Sequence, residues 1–119
     1  MKKGKQLEGV ERIVPRYQFE ARFKIEIERL GGRLTTEGWA RDLSESGLGA
    51  FVATELLVGE TATLRIPLPD GVELVVPAKV SRSLGTQYGF QFTALSLTQR
   101  KEILRMLAQS KPIPYVPLS

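Results

Sequence analysis

The segment "YQFEARFKIEIER", residues 17–29, constrains the fold more than any other feature of the chain. Tyr17, Phe19, Ala21, Phe23, Ile25 and Ile27 alternate with Gln18, Glu20, Arg22, Lys24, Glu26 and Glu28. A period of two over this length predicts a long strand with one buried and one wet face. Such a strand needs partners. Gly31-Gly32 reads as a turn, and "RLTTEGWARDL" as the returning strand. "GLGAFVAT" begins a short strand at Gly47. "ETATLRIPL" and "VELVVPAKVSR" flank the turn signal Pro69-Asp70-Gly71, and "QYGFQFTAL" alternates again. About six strands at short intervals, with no helix between them, predict an antiparallel barrel or sandwich.

The last regular element has a different period. In "SLTQRKEILRMLAQ", Ser96 and Gln99 have the spacing of a capping box. Ile103, Leu104, Leu107 and Ala108 form an apolar stripe at helical period, expected to pack on the strands. The tail "KPIPYVPLS" carries three closely spaced prolines, so it is extended, either loose or lying along the body. The expected organisation is a flexible basic segment 1–11, a barrel with its helix over 12–109, and an extended tail 110–119.

Chemistry is narrowed by what is missing. The 119 residues suffice for one domain and contain no Cys and no His. Disulfides, thiolate metal sites, the usual thiol nucleophile and the usual general base are therefore excluded. The two aspartates, Asp42 and Asp70, lie far apart in sequence, and Glu20, Glu26 and Glu28 fall on the wet face of a strand, so no carboxylate cluster for a cation is spaced to converge. "GTQYG" lacks the lysine and helix of a phosphate loop. The expectation is a protein that is not an enzyme, with no metal and no cofactor. No apolar run reaches the length of a membrane span, and no secretion signal is present at the N-terminus, so the cytoplasm is the expected compartment. The net charge is +4, and residues 61–119 carry all of the excess. That balance is compatible with a phosphate-bearing partner without requiring one.

Two short stretches stand out. In "RIVPR", Pro15 keeps Val14 out of helical angles, so Arg12 and Arg16 sit on extended chain with Cα atoms up to about 13 Å apart. Two planar guanidiniums so placed can reach opposite sides of one ligand and grip a phosphate, or a guanine through O6 and N7, or stack on a base. Four-apart arginine pairs arise readily by chance, and Arg29 with Arg33 is a second. The other stretch, "DLSESG", is a compact polar connection from Asp42 to Gly47. Asp and Ser side chains can hold such a turn through backbone N–H groups, and Gly47 suits a positive φ or a close approach of backbone to a ligand.

Together, Arg12-Ile-Val-Pro-Arg16 and Asp42-Leu-Ser44-Glu-Ser-Gly47, with 25 residues between them, resemble the signature of the PilZ domain family. "AKVSRSLGTQYGFQFTALSLTQRKEILRML" is similar to the closing strand pair and C-terminal helix of that family. The resemblance covers roughly residues 10–108. It implies a six-stranded antiparallel β-barrel followed by a C-terminal α-helix. It also implies a receptor for the bacterial second messenger cyclic di-GMP. Arg12 and Arg16 are then expected on guanines and phosphates, with Asp42, Ser44 and Gly47 as the opposite wall. Asp42 can accept from a guanine N1–H or N2–H, or orient an arginine.

One position departs from the family pattern. Many members have an arginine directly before the first motif arginine, thought to help hold a stacked pair of ligands. Here it is Glu11, so one ligand per site is expected. Arg82 is a further candidate contact. Signalling through a rearranged N-terminal segment to an unidentified protein effector is the expected output. Two alternatives compete. One is a PilZ-like protein-interaction module that does not bind the nucleotide. The other is a small barrel for single-stranded nucleic acid, using Trp39, Tyr88 and Phe90 as a stacking platform. Strand alternation puts most of those aromatics in the core, which disfavours nucleic acid as a partner.

Overall fold

The computed structural model describes residues 14–114. Six strands occur in chain order: β1 Tyr17–Arg29, β2 Gly32–Leu43, β3 Gly47–Val52, β4 Thr61–Pro67, β5 Glu73–Leu84 and β6 Gln87–Phe92. One helix follows, α1 Leu97–Ala108. The strands close into an antiparallel barrel in the order β1-β2-β3-β6-β5-β4.

The alternation of β1 becomes burial as it enters the barrel. Phe23, Ile25 and Ile27 are at most 1% exposed, while Tyr17, Phe19 and Ala21 are only half-buried. The difference follows from pairing. β1 pairs with β2 along nearly all its length, but with β4 only through Lys24–Ile27. Its first half therefore has an open edge, and an open edge leaves backbone groups to be satisfied. The tail supplies partners: Gln18 N–H donates to Lys111 O at 2.8 Å, and Ile113 N–H donates to Arg16 O at 2.8 Å. Of the two sequence options for this part of the tail, lying along the body is the one seen.

Inside the barrel, Phe23 and Phe90 meet edge to face with centroids 6.2 Å apart. Tyr88 is buried, and its hydroxyl accepts from Leu56 N–H at 3.1 Å, pinning the β3–β4 loop to β6. Gly31 and Gly32 take φ of 92° and 141° in the first hairpin, angles closed to most side chains. Carboxylates hold the outer surface: Glu26 pairs with Arg65 at 2.9 Å, and Glu28 with Arg33 at 2.9 Å.

Helix α1 starts at the expected cap. Ser96 Oγ accepts from Gln99 N–H at 3.0 Å, and Gln99 Oε1 accepts from Ser96 N–H at 2.8 Å. Its buried face differs from the expected stripe. Ile103, Met106 and Leu107 join the core, whereas Leu104 is 42% exposed and Ala108 is exposed. The helix is rotated toward Met106, whose flexible thioether fills the core. Leu104 and Ala108 instead wall a shallow groove with Pro15 and Tyr17.

Candidate functional site

Three bulges interrupt the barrel. One lies between Gln18 and Ala21 in β1, one between Ala40 and Asp42 in β2, and one between Val80 and Arg82 in β5. The bulges in β2 and β5 each shift the side-chain alternation by one residue, whereas that of β1 runs on unbroken. In β2, Ala40 and Leu43 both point into the core, so Arg41 and Asp42 fall on the outside together. In β5, Val80 points inward, and Ser81 and Arg82 are both exposed.

The register then forms a row across four strands. Asp42 pairs with Gly49, Gly49 with Gly89, and Gly89 with Arg82. The two glycines are a floor between an acid and a base. A Cβ on Gly49 would lie 2.7 Å from Asp42 Oδ2. A Cβ on Gly89 would lie 3.4 Å from Arg82 Nη2. Both side chains thus lean inward over bare backbone, which is the kind of position a mid-strand glycine marks.

Arg16 reaches this row from the chain just before β1. Its Nη1 lies 3.5 Å from Asp42 Oδ1, with side-chain exposures of 46% and 19%. Its carbonyl is tied to Ile113. Two adjoining depressions, of about 290 and 200 Å³, open around the pair, and both are lined by Arg16, Asp42 and Arg82. The larger adds Arg41, Phe51 and Gln87. The smaller adds Ser44, Gly47 and Gly89.

The structure thus brings Arg16, Asp42, Ser44, Gly47 and Arg82 to one surface, although they come from three separate stretches of chain. Arg12 and Glu11 lie outside the described residues. Arg16 itself is held, with partners for both its carbonyl and its guanidinium. The pair Arg29 and Arg33 serves the barrel instead: Arg29 grips Glu60 through two bonds of 2.6 and 2.9 Å, and Arg33 takes Glu28.

Ser44 and Gly47 build the turn. Ser44 is 8% exposed, and its hydroxyl accepts from Gly47 N–H at 3.1 Å and Ser46 N–H at 3.2 Å. Gly47 does not need a positive φ. Among the described residues, those with positive φ are other glycines. What requires glycine there is the neighbouring strand, since a Cβ would meet the Phe90 carbonyl oxygen at 2.2 Å.

Four contributors escaped the sequence reading: Arg41, Phe51, Gly49 and Gly89. Arg41 lies over the Phe51 ring, 4.9 Å from its centroid. A signal was present for the bulge in β2, because two core residues, Ala40 and Leu43, stand three apart. Glycines at outward positions in "GLG" and "YGF" were the signal for the floor. The aromatic platform is not assembled: Tyr88 and Phe90 are buried, and only Trp39, 41% exposed, lies outside.

The family model described as PilZ domain matches residues 11–109. The chain belongs to the PilZ domain family. Solved PilZ structures share its fold. The PilZ domain of CeSA from a cellulose-synthesizing bacterium is 24% identical with a TM-score of 0.58, over 78% of this chain and 96% of that one. The PilZ domain with c-di-GMP of YcgR from Escherichia coli is 16% identical with a TM-score of 0.63, over 79% and 86%. Bacillus subtilis MotI/DgrA, an inhibitor of motility, is 15% identical with a TM-score of 0.60, and this PilZ chain spans 48% of its length. No curated protein matches the sequence. Among the described residues, no helix of this PilZ chain is long and apolar enough to cross a membrane, and no group of acidic side chains is placed to hold a metal.

Proposed function

We propose that this PilZ domain is a non-catalytic receptor for cyclic di-GMP, acting in the bacterial cytoplasm through a protein effector. The observation that carries the reading is the Arg16–Asp42 pair poised over the Gly49–Gly89 floor, with Arg82 at its far end. The YcgR PilZ domain, solved with c-di-GMP, supports it by likeness of fold.

The ligand carries two phosphates and two guanines. Arg16 and Arg82 face it from two sides as planar forks, each suited to a phosphate or to guanine O6 and N7. Arg12, four residues upstream in sequence, supplies a further fork. Asp42 accepts from a guanine N1–H or N2–H once Arg16 turns from it to the ligand. A 3.5 Å contact with a half-exposed guanidinium is cheap to give up. Ser44 and Gly47 hold the turn that fixes Asp42. With Glu11 where a stacking arginine would be, the site takes one ligand per chain. Engagement of Arg12 draws residues 1–11 toward the barrel, and that change is what the effector reads.

Calorimetric titration tests the proposal. Binding at micromolar or tighter affinity, about −8 kcal/mol or better, is expected at one ligand per chain. GMP binds far more weakly, because it offers one base and one phosphate. Equal affinity for GMP and the cyclic dinucleotide contradicts two-sided recognition.

A further inference from the structure

We infer that Arg41, laid over Phe51, is a stacking shelf for a purine base, so that the two compartments of the site take the two bases of one cyclic dinucleotide. This deepens the receptor reading above and rests on it. The observations concern residues outside both sequence motifs that define the site.

The bulge in β2 turns Arg41 outward beside Asp42, where a regular strand would have turned one of them in. Its guanidinium carbon then sits 4.9 Å from the Phe51 centroid. Phe51 lies opposite Trp39 in β2 on one side and Gln87 in β6 on the other. Among the described residues Arg41 has no carboxylate within ion-pair distance, whereas Arg29, Arg33, Arg65 and Arg105 each have at least one. The arginines that stabilise the barrel are matched with acids, and this one is matched with a ring.

That arrangement suits a flat, electron-rich ligand. A guanidinium stacks on aromatic faces, is weakly hydrated, and cannot lose its charge. With one face on Phe51, its other face is left for a base, and the ring has already restricted its rotamers. Gln87 stands beside the shelf with both a donor and an acceptor for a base edge. The compartment of about 290 Å³ that holds the shelf adjoins the smaller one lined by Ser44 and Gly47. The two meet at Arg16, Asp42 and Arg82, where the two arginines take the phosphates of a ligand spanning both and Asp42 takes a guanine edge.

The test is calorimetric titration of cyclic di-GMP into the full chain and its variants Arg41→Ala, Arg41→Lys and Phe51→Leu, with Arg16→Ala as reference. Arg41→Ala is expected to weaken binding roughly tenfold or more, and Phe51→Leu severalfold. Arg41→Lys keeps the charge but not the plane, and is expected to restore little. Thermal midpoints of the two Arg41 variants without ligand should stay close to wild type, since Arg41 is exposed. Wild-type affinity in Arg41→Ala, with binding lost in Arg16→Ala, overturns the shelf and leaves the receptor reading intact. Full restoration by Arg41→Lys also overturns it, because the contact is then a point charge on phosphate. Absence of binding to the wild-type chain overturns both.

Discussion

Gly49 and Asp42 face each other across β3 and β2, and a Cβ on Gly49 would stand 2.7 Å from one carboxylate oxygen of Asp42 and 2.9 Å from the other. The glycine is therefore the seat of the carboxylate. The obstacle is the end of a side chain, so Gly49→Ala is expected to fold and to push Asp42 from its place. Affinity for cyclic di-GMP should fall on the order of tenfold, the scale of one hydrogen bond to a charged group. Calorimetry with the Ala variant checks this, and unchanged affinity contradicts the role given to Asp42.

Gly47 makes a contrasting case. A methyl there meets the backbone oxygen of Phe90 at 2.2 Å, and a strand in mid-barrel cannot swing aside. Gly47→Ala is expected to cost about 3 kcal/mol or more, at the upper end for overpacking. Denaturant unfolding reads this directly, as a lower midpoint with or without ligand.

The Ser44 hydroxyl accepts from two backbone N–H groups and is nearly buried. Ser44→Ala leaves both donors without it. A loss of about 1–2 kcal/mol is expected from denaturant curves. A variant as stable as wild type would mean that water replaces the hydroxyl.

Acid should weaken the far end of the barrel. Hydrogen bonds from Arg29, with help from the Leu57 N–H, hold the Glu60 carboxyl below the usual carboxylate range. A carboxyl depressed in the folded state stabilises fully above its unfolded value, near 4.3, and loses that contribution as pH falls through its lower folded value. Glu60→Gln should therefore melt about 2–5 °C below wild type at neutral pH, with the gap narrowing below pH 4. Circular dichroism melts at pH 7 and pH 3.5 measure both gaps. A constant gap would assign the effect to packing.

The parts of this fold legible in the sequence are those set by local chemistry. Alternation in Tyr17–Arg29 announced a strand because one face of it is core, and Ser96 with Gln99 announced a helix start because the cap is made by neighbours. The helix face was not legible. Leu104 and Met106 are both apolar, and only the shape of the barrel end selects Met106. The candidate site was half legible. Two motifs marked Arg16, Asp42, Ser44 and Gly47, and Arg82 was reached by its place in the chain. Arg41, Phe51, Gly49 and Gly89 depend on bulges and cross-strand register, which join residues forty apart. The same dependence separates Arg16, held beside Asp42, from Arg29 and Arg33, which spacing alone made look alike.

Mapping by backbone amide NMR during titration with cyclic di-GMP tests the central claim most directly. Saturable shifts are expected at Arg16, Asp42, Gly49, Gly89 and Arg82, the row that runs across β2, β3, β6 and β5. Shifts confined to the opposite end of the barrel, around Leu30 and Leu57, or none at saturating ligand, would contradict it.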